Sequence, residues 1–146
     1  MSLKDWRDNG WLKEHKTDKH EITAFLPLVD RDFQDASVNA LSSDWKFGIA
    51  YNAALKLCTI VLYSQGYRSE NALAHYKTIM ALQEIEGQDW RAYVTYLNAC
   101  RMRRNILEYA EAGIISSDEA AKLIEFSHNF KDEVIDYLTK NHPNLI

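Results

Sequence analysis

The stretch that decides the fold is WRAYVTYLNACRMRRNILEYAEAG, which runs from Trp90 to Gly113. It contains no proline and no glycine before its last residue, and glycine is the residue that most often ends a helix in the left-handed conformation. An apolar stripe at helical spacing occupies its first half and consists of Trp90, Tyr93, Val94 and Leu97. The pattern predicts one long amphipathic helix over residues 90–113.

The second half of this predicted helix has a different character. At about 100° per residue, the apolar stripe continues onto Arg101, Arg104 and Glu108, with Asn105 beside it. In one interpretation the helix carries this charged end into a groove between helices or subunits. Buried charges need partners, and Glu108 lies four residues after Arg104, where the two side chains can meet.

A second interpretation of the same residues is open. The apolar face can rotate onto Met102, Ile106 and Tyr109, which leaves the arginines in water. Charged residues on helices usually face solvent in this way. Periodicity does not decide between the two arrangements.

The composition is that of a single globular domain over residues 1–146, with 1–20 as an N-terminal extension and 21–141 as the main body. Hydrophobic residues make up 47% of the chain and charged residues 26%, which argues against disorder. The net charge of −4 provides no overall attraction for nucleic acid. Any RNA contact must therefore be local, and the dense basic patch is Arg101, Arg103 and Arg104.

The sequence predicts a cytoplasmic protein. Its start, MSLKDWRDNG, lacks the apolar core of a signal peptide, and no apolar run approaches the length of about 18 residues that a membrane span needs. We therefore expect no membrane association. Cys58 and Cys100 both fall within predicted helices and are expected to be small buried apolar residues in a reduced protein.

The remaining elements are also predicted to be helical. Residues 1–20 read as a short helix broken at Gly10, and 67–71 as a loop. Pro27 either bends a helix over 21–39 or stands in the first turn of one that begins later. The other helices are expected over 44–65, which is apolar nearly all round and therefore central, 73–85, and 118–141, which opens with a Ser116/Glu119 capping box. No strand is predicted, so the fold class is an all-α up-and-down bundle of about five helices.

Few residues carry recognisable chemistry. Phosphate-binding loops, metal-ligand pairs and nucleophile motifs are absent from the sequence, so no metal and no cofactor is predicted. His75 opens its helix and is suited to a structural hydrogen bond or to acid–base chemistry. Asn52 begins the narrow polar line of the central helix. Asp30 and Asp32 are expected on a solvated helix surface.

The segment RNILEY, residues 104–109, resembles the R-N-x-x-x-H motif of HEPN domains. Further stretches share the resemblance to a bacterial HEPN-like branch: GWLKEH (10–15), LSSDWKFGIAYNAAL (41–55), GYRSENALAHY (66–76) and RRNILEYAEAG (103–113). The resemblance covers most of the chain and is strongest over residues 41–113.

This resemblance implies a helical bundle that dimerises through the motif helix, so that two motifs line a shared cleft. In active HEPN ribonucleases the motif Arg and His cut RNA without a metal. Carried over by position, these residues are Arg104, the adjacent Asn105, and Tyr109 in place of the His. Tyrosine, with a reference pKa of about 10, is a poor general base at neutral pH. By analogy, the partner protein is a nucleotidyltransferase of a toxin–antitoxin pair.

Three functional hypotheses follow. The first is a non-catalytic HEPN-like dimeric module that binds a nucleotide, RNA or protein partner through the region 104–109. Its ligand-binding residues are Arg101, Arg104, Asn105, Glu108 and Tyr109, with Asn52 and His75. The second is a metal-independent endoribonuclease that uses Arg104 and Asn105, with Tyr109 or His75 supplying the proton. The third is a structural interaction protein without a ligand.

Overall fold

The computed structural model of the protein describes residues 2–70, 74–109 and 112–146, with the backbone alone at 108 and 109. Over these ranges the helices are α1 (Leu3–Asp8), α2 (Lys19–Ala36), α3 (Ser43–Ser64), α4 (Ala74–Glu86), α5 (Arg91–Tyr109) and α6 (Ser117–Asn141). The strands are β1 (Leu12–Glu14) and β2 (Tyr67–Ser69), and short 3-10 helices cover Gly87–Trp90 and Pro143–Leu145. The predicted all-α bundle with five long helices is confirmed.

Helix α3 lies at the centre of the bundle and packs mainly against α2 and α6, with further contacts to α4 and α5. Its side chains include Tyr51, Leu57 and Ile60, each with no exposed surface. Its length and its mean hydropathy of 1.3 would also suit a membrane span, and 56% of that apolar window is buried inside the fold. Such burial is typical of the core helix of a bundle.

The helix ends follow the predicted local chemistry. The Ser42 hydroxyl accepts from the Trp45 N–H and caps α3, and Ser116 with Glu119 forms the predicted capping box of α6. Gly66 closes the turn after α3 at a φ of +86°. The helix predicted over 90–113 is shorter at both ends, because it begins at Arg91 and residues 112–113 are not helical.

Pro27 lies inside α2. The alternative of a helix that begins later is therefore excluded. Within the same helix, Asp32 is only 7% exposed and forms an ion pair with Lys56 of α3. The prediction of a solvated Asp32 is wrong, because a cation on the facing helix satisfies its carboxylate. Its neighbour Asp30 is exposed, as predicted, and pairs with Lys131 at 2.5 Å.

The prediction that the chain has no strands is wrong. The strands β1 and β2 pair antiparallel, with Leu12 opposite Ser69 and Glu14 opposite Tyr67. Each strand has three residues, too few for an alternating pattern to stand out, and the partner is distant in sequence. The predicted loop over 67–71 therefore begins with a strand. Residues 71–73 lie outside the described ranges.

The N-terminal segment packs onto the bundle through its aromatic and apolar side chains. Helix α1 ends at Asp8, and Gly10 follows with a φ of +78°, in agreement with the predicted break. Trp6 is buried and meets Trp11 edge to face at 5.7 Å between ring centres. Leu12 is 3% exposed and shares an apolar cluster with Trp6, Leu62 and Ala81. These contacts join the segment to α3 and α4.

The two cysteines are free and buried, as predicted. Burial raises the pKa of Cys58 and raises that of Cys100 to about 11, so both thiols stay protonated near neutral pH.

The two neighbouring aspartates of α2 provide a matched stability test. Asp32→Asn leaves the half-buried Lys56 without its counter-charge, and we expect a loss of about 2 kcal/mol in the free energy of unfolding. Asp30→Asn breaks a pair whose carboxylate side chain is 52% exposed, so its effect should stay below about 1 kcal/mol. Urea denaturation of both variants measures the difference. Equal losses would show that the Asp32–Lys56 pair does not support the core.

Candidate functional site

The rotation of α5 about its own axis turns two arginines inward, on the same face as the buried Val94 and Leu97. The guanidinium carbon of Arg104 lies 5.4 Å from the ring centre of Tyr51, and that of Arg101 lies 5.1 Å from the ring centre of Tyr76. On the other side of the helix, Met102 is 54% exposed and Ile106 42% exposed. The interpretation that buries Met102 and Ile106 is therefore wrong, and Arg101 and Arg104 face the bundle.

Arg104 and Asn52 line one pocket of about 310 Å³ between the first half of α3 and the end of α5. The other lining residues that the structure describes are Asp44, Trp45, Gly48, Ile49, Leu107 and Ala112. The indole of Trp45 is 67% exposed. The pocket thus combines a cation, an amide and an open aromatic face.

The acidic residue in this pocket already has partners. The Asp44 carboxylate accepts from the Gly113 N–H at 2.6 Å and from the Ile115 N–H at 3.4 Å. Its charge therefore holds the segment between α5 and α6 against the start of α3. Gly113, with a φ of +79°, takes the left-handed conformation that this turn requires.

Tyr51 connects Arg104 to His75. Its hydroxyl lies 3.4 Å from Nδ1 of His75, so one of the predicted roles of His75, a structural hydrogen bond, is present. Burial raises the pKa of Tyr51, and the positive charges of Arg104 and Arg101 oppose that rise without cancelling it. The phenol therefore stays protonated at neutral pH. His75 itself lines a different cavity and is not among the described residues around the Arg104 pocket.

Arg103 is occupied by a structural ion pair, which divides the predicted basic patch. Its Nε donates to Glu119 Oε2 at 3.1 Å, its Nη2 donates to Oε1 at 3.0 Å, and Nη2 also donates to the Ile114 carbonyl at 3.2 Å. Burial alone would raise the pKa of Glu119. Hydrogen bonds from the Ser116 backbone and from Arg103 outweigh that effect and lower the pKa.

Two of the other predicted site residues, Arg101 and Asn105, are not among the described lining residues of the pocket. Arg101 donates through Nε to Asn98 Oδ1 at 3.0 Å, beside its contact with Tyr76. Asn105 is half-buried on α5 and is not among the described lining residues. The side chains of Glu108 and Tyr109, including the predicted Arg104–Glu108 pair, lie outside the described residues.

Sequence reasoning missed Asp44 and Trp45 as residues of the site. The segment Ser42-Ser43-Asp44 indicates helix capping, and that role accounts for its polar residues before any pocket is considered. Trp45 follows the cap and belongs to the apolar majority of α3. Trp45 is 67% exposed, and this exposure can be recognised only after the buried and exposed faces of α3 are known.

No protein-family model, no curated protein and no solved structure matches this chain. The resemblance to HEPN domains therefore depends on the residues quoted above and stays a prediction. Among the described residues, no group of three or more His, Cys, Asp or Glu side chains is placed to hold a metal ion.

The pair between Arg103 and Glu119 predicts a pH-dependent stability. Because the folded pKa of Glu119 is lowered from 4.5, its contribution is present above that pH and is lost as the pH falls through the lower folded value. Arg103→Gln should cost about 1 kcal/mol at pH 7, since both side chains are partly exposed, and less at pH 3. Urea denaturation at the two pH values measures this. Lys140→Gln, which breaks an exposed pair, should change little, and an Arg103→Gln cost that is independent of pH would contradict the assignment.

Proposed function

We propose that this protein is a dimeric, HEPN-like helical module that binds a nucleotide unit in the Arg104 pocket without cleaving it. The observation that carries the proposal is the meeting of Arg104, Asn52 and Trp45 around one pocket of about 310 Å³. These residues come from two helices and were not adjacent in sequence. The ligand is a free nucleotide or one nucleotide of a single-stranded RNA.

Each of the three side chains matches one part of a nucleotide. The planar guanidinium of Arg104 is suited to a phosphate, which it can bind through two parallel hydrogen bonds. The open indole of Trp45 offers a stacking surface for a base. The amide of Asn52, which is exposed, can both donate to and accept from a base edge. The volume lies at the lower end of the range of small-molecule sites.

The described lining residues of this pocket include one positive and one negative side chain, Arg104 and Asp44. Asp44 is the acidic residue among the described lining residues, and its carboxylate is engaged by two backbone N–H groups. Arg104 supplies the opposite charge close by. The net charge of the chain is −4, so attraction of a phosphate has to arise locally.

The geometry favours binding over the alternative, a metal-independent endoribonuclease. Tyr51, the group next to Arg104, stays protonated because burial raises its pKa. His75, the candidate acid or base, lines another cavity. A general base must reach the proton that it abstracts, directly or through one water molecule. The acid–base group among the described lining residues of the Arg104 pocket is Asp44, whose carboxylate already accepts from the Gly113 and Ile115 N–H groups.

The outer face of α5 supports the proposed dimer. Five exposed residues follow each other at alternating steps of three and four, the spacing of a coiled-coil seam: Ala92, Thr95, Ala99, Met102 and Ile106. An antiparallel two-fold pair centred near Ala99 would set Ala92 against Ile106 and Thr95 against Met102. Small residues then face large ones, which allows close packing of two identical surfaces.

This face has a consequence for the two sites of the dimer. Met102 and Ile106 are each two residues from Arg104, which is about 160° around the helix. A dimer through the outer face would hold the two Arg104 pockets apart. The shared cleft that the HEPN resemblance implies would then be absent, in keeping with a binding role. A nucleotidyltransferase partner and a toxin–antitoxin role stay predictions from the resemblance.

Nucleotide binding is tested by isothermal titration with AMP, GMP, CMP and UMP and with a short single-stranded RNA. We expect Arg104→Gln and Trp45→Ala each to weaken binding about tenfold, through loss of a charged hydrogen bond and of base stacking respectively. Arg31→Gln makes the same charge change on the exposed side of α2 and should leave affinity unchanged. Comparison of the affinities for free nucleotides and for RNA shows which of the two is the ligand. The site assignment fails if wild type binds neither, or if the variants bind equally well.

Dimerisation is tested by sedimentation velocity over a range of protein concentrations. Ile106→Glu places a charge at each end of the proposed seam, opposite Ala92 of the second copy, and we expect it to convert the dimer to a monomer. Val38→Glu adds the same charge at another exposed apolar residue, 48% exposed, and should leave the dimer intact. A wild-type protein that is monomeric at the highest concentration, or an Ile106→Glu variant that stays dimeric, would contradict this interface.

A further inference from the structure

A second cavity, of about 280 Å³, lies between α3, β2 and the start of α4. Its polar lining comes from all three elements: Thr59, Arg68, Ser69, His75 and Thr78. Its apolar wall is formed by Leu55, Leu62, Tyr63 and Ala74. Tyr51 separates it from the Arg104 pocket, because the Tyr51 hydroxyl contacts His75 on this side while Arg104 packs on the Tyr51 ring.

The polar groups of this cavity include hydrogen-bond donors on Ser69, Thr78 and Arg68. Ser69 Oγ and Thr78 Oγ1 lie 2.6 Å apart, and Thr78 is only 7% exposed. Two hydroxyls joined by one hydrogen bond carry two protons, and the bond between them uses one. The other proton can be donated to an acceptor outside the pair. The guanidinium of Arg68, on the strand residue before Ser69, adds further donors and a positive charge.

The charge at this cavity is positive. The nine described lining residues include one arginine and no carboxylate. The nearby Glu70, which follows β2, pairs with Lys13 of β1 at 3.4 Å between Nζ and Oε1. A site whose described lining carries a positive side chain and no carboxylate attracts an anion.

The volume of the cavity and its apolar wall further restrict the chemical class of ligand that it can bind. A cavity of about 280 Å³ exceeds the space that one small oxyanion fills, and Leu55, Leu62 and Ala74 offer surface to a short carbon chain. The donor groups are suited to phosphate or carboxylate oxygens, since charged hydrogen bonds from arginine are among the strongest available.

We infer that this cavity binds a small molecule that carries one oxyanion, phosphate or carboxylate, on a short carbon body, with Arg68 and the Ser69–Thr78 hydroxyl pair as its anchors. The inference is independent of the proposed nucleotide site, because the two cavities have no described lining residue in common.

Titration followed by ¹H–¹⁵N NMR tests this site, with glycerol 3-phosphate, inorganic phosphate, butyrate and glycerol as probes. We expect at least one anionic probe to shift the amide signals of Ser69, His75 and Thr78, and glycerol to leave them unchanged. Arg68→Gln should weaken that binding about tenfold or more. Ser69→Ala should also weaken it, and Arg31→Gln is the matched charge control.

The outcomes separate the alternatives. Tighter binding of glycerol 3-phosphate than of butyrate identifies phosphate as the anchored group, and the reverse order identifies carboxylate. Because the two cavities share no described lining residue, failure of the nucleotide proposal would not affect this inference. The inference is overturned if no anionic probe shifts these signals, or if Arg68→Gln and Arg31→Gln bind the probe equally.

Discussion

The contact between the Arg104 guanidinium and the buried ring of Tyr51 is the interaction on which the rest of the structure depends. An arginine over a desolvated aromatic ring contributes about 1–2 kcal/mol, and here it also has geometric consequences. It acts together with the buried Val94 and Leu97 of α5 to hold the rotation of that helix, because Tyr51 lies at the centre of α3 with no exposed surface. The same rotation places Arg104 in a pocket and leaves Met102 and Ile106 outside.

Tyr51 also divides the polar interior into two parts. On one side, Arg104 meets Trp45 and Asn52, and on the other the Tyr51 hydroxyl meets His75 at 3.4 Å. A catalytic site would need the cation and the acid–base group around one substrate. In this chain the protonated phenol of Tyr51 stands between Arg104 and His75, so the two proposed sites lie on opposite sides of it.

The sequence predicted the helices well, because their signals are local. Apolar residues at helical spacing, the Ser42 cap and the Ser116/Glu119 box each act within a few residues. It could not decide the rotation of α5, since the choice between Arg104 and Met102 depends on Tyr51 and Tyr76 from other helices. The buried Asp32 and the pairing of β1 with β2 were missed for the same reason, because their partners are distant in sequence.

The measurement that tests this account most directly is ribonuclease activity on total RNA with EDTA present, for wild type beside Arg104→Ala and Tyr109→Phe. EDTA chelates divalent cations and so inactivates any contaminating metal-dependent nucleases. The account predicts no cleavage by wild type even at high protein concentration, because the described residues around the Arg104 pocket include no histidine and their carboxylate, Asp44, already accepts two backbone hydrogen bonds. Cleavage by wild type that is lost in Arg104→Ala would contradict it and would establish an active ribonuclease site at the motif.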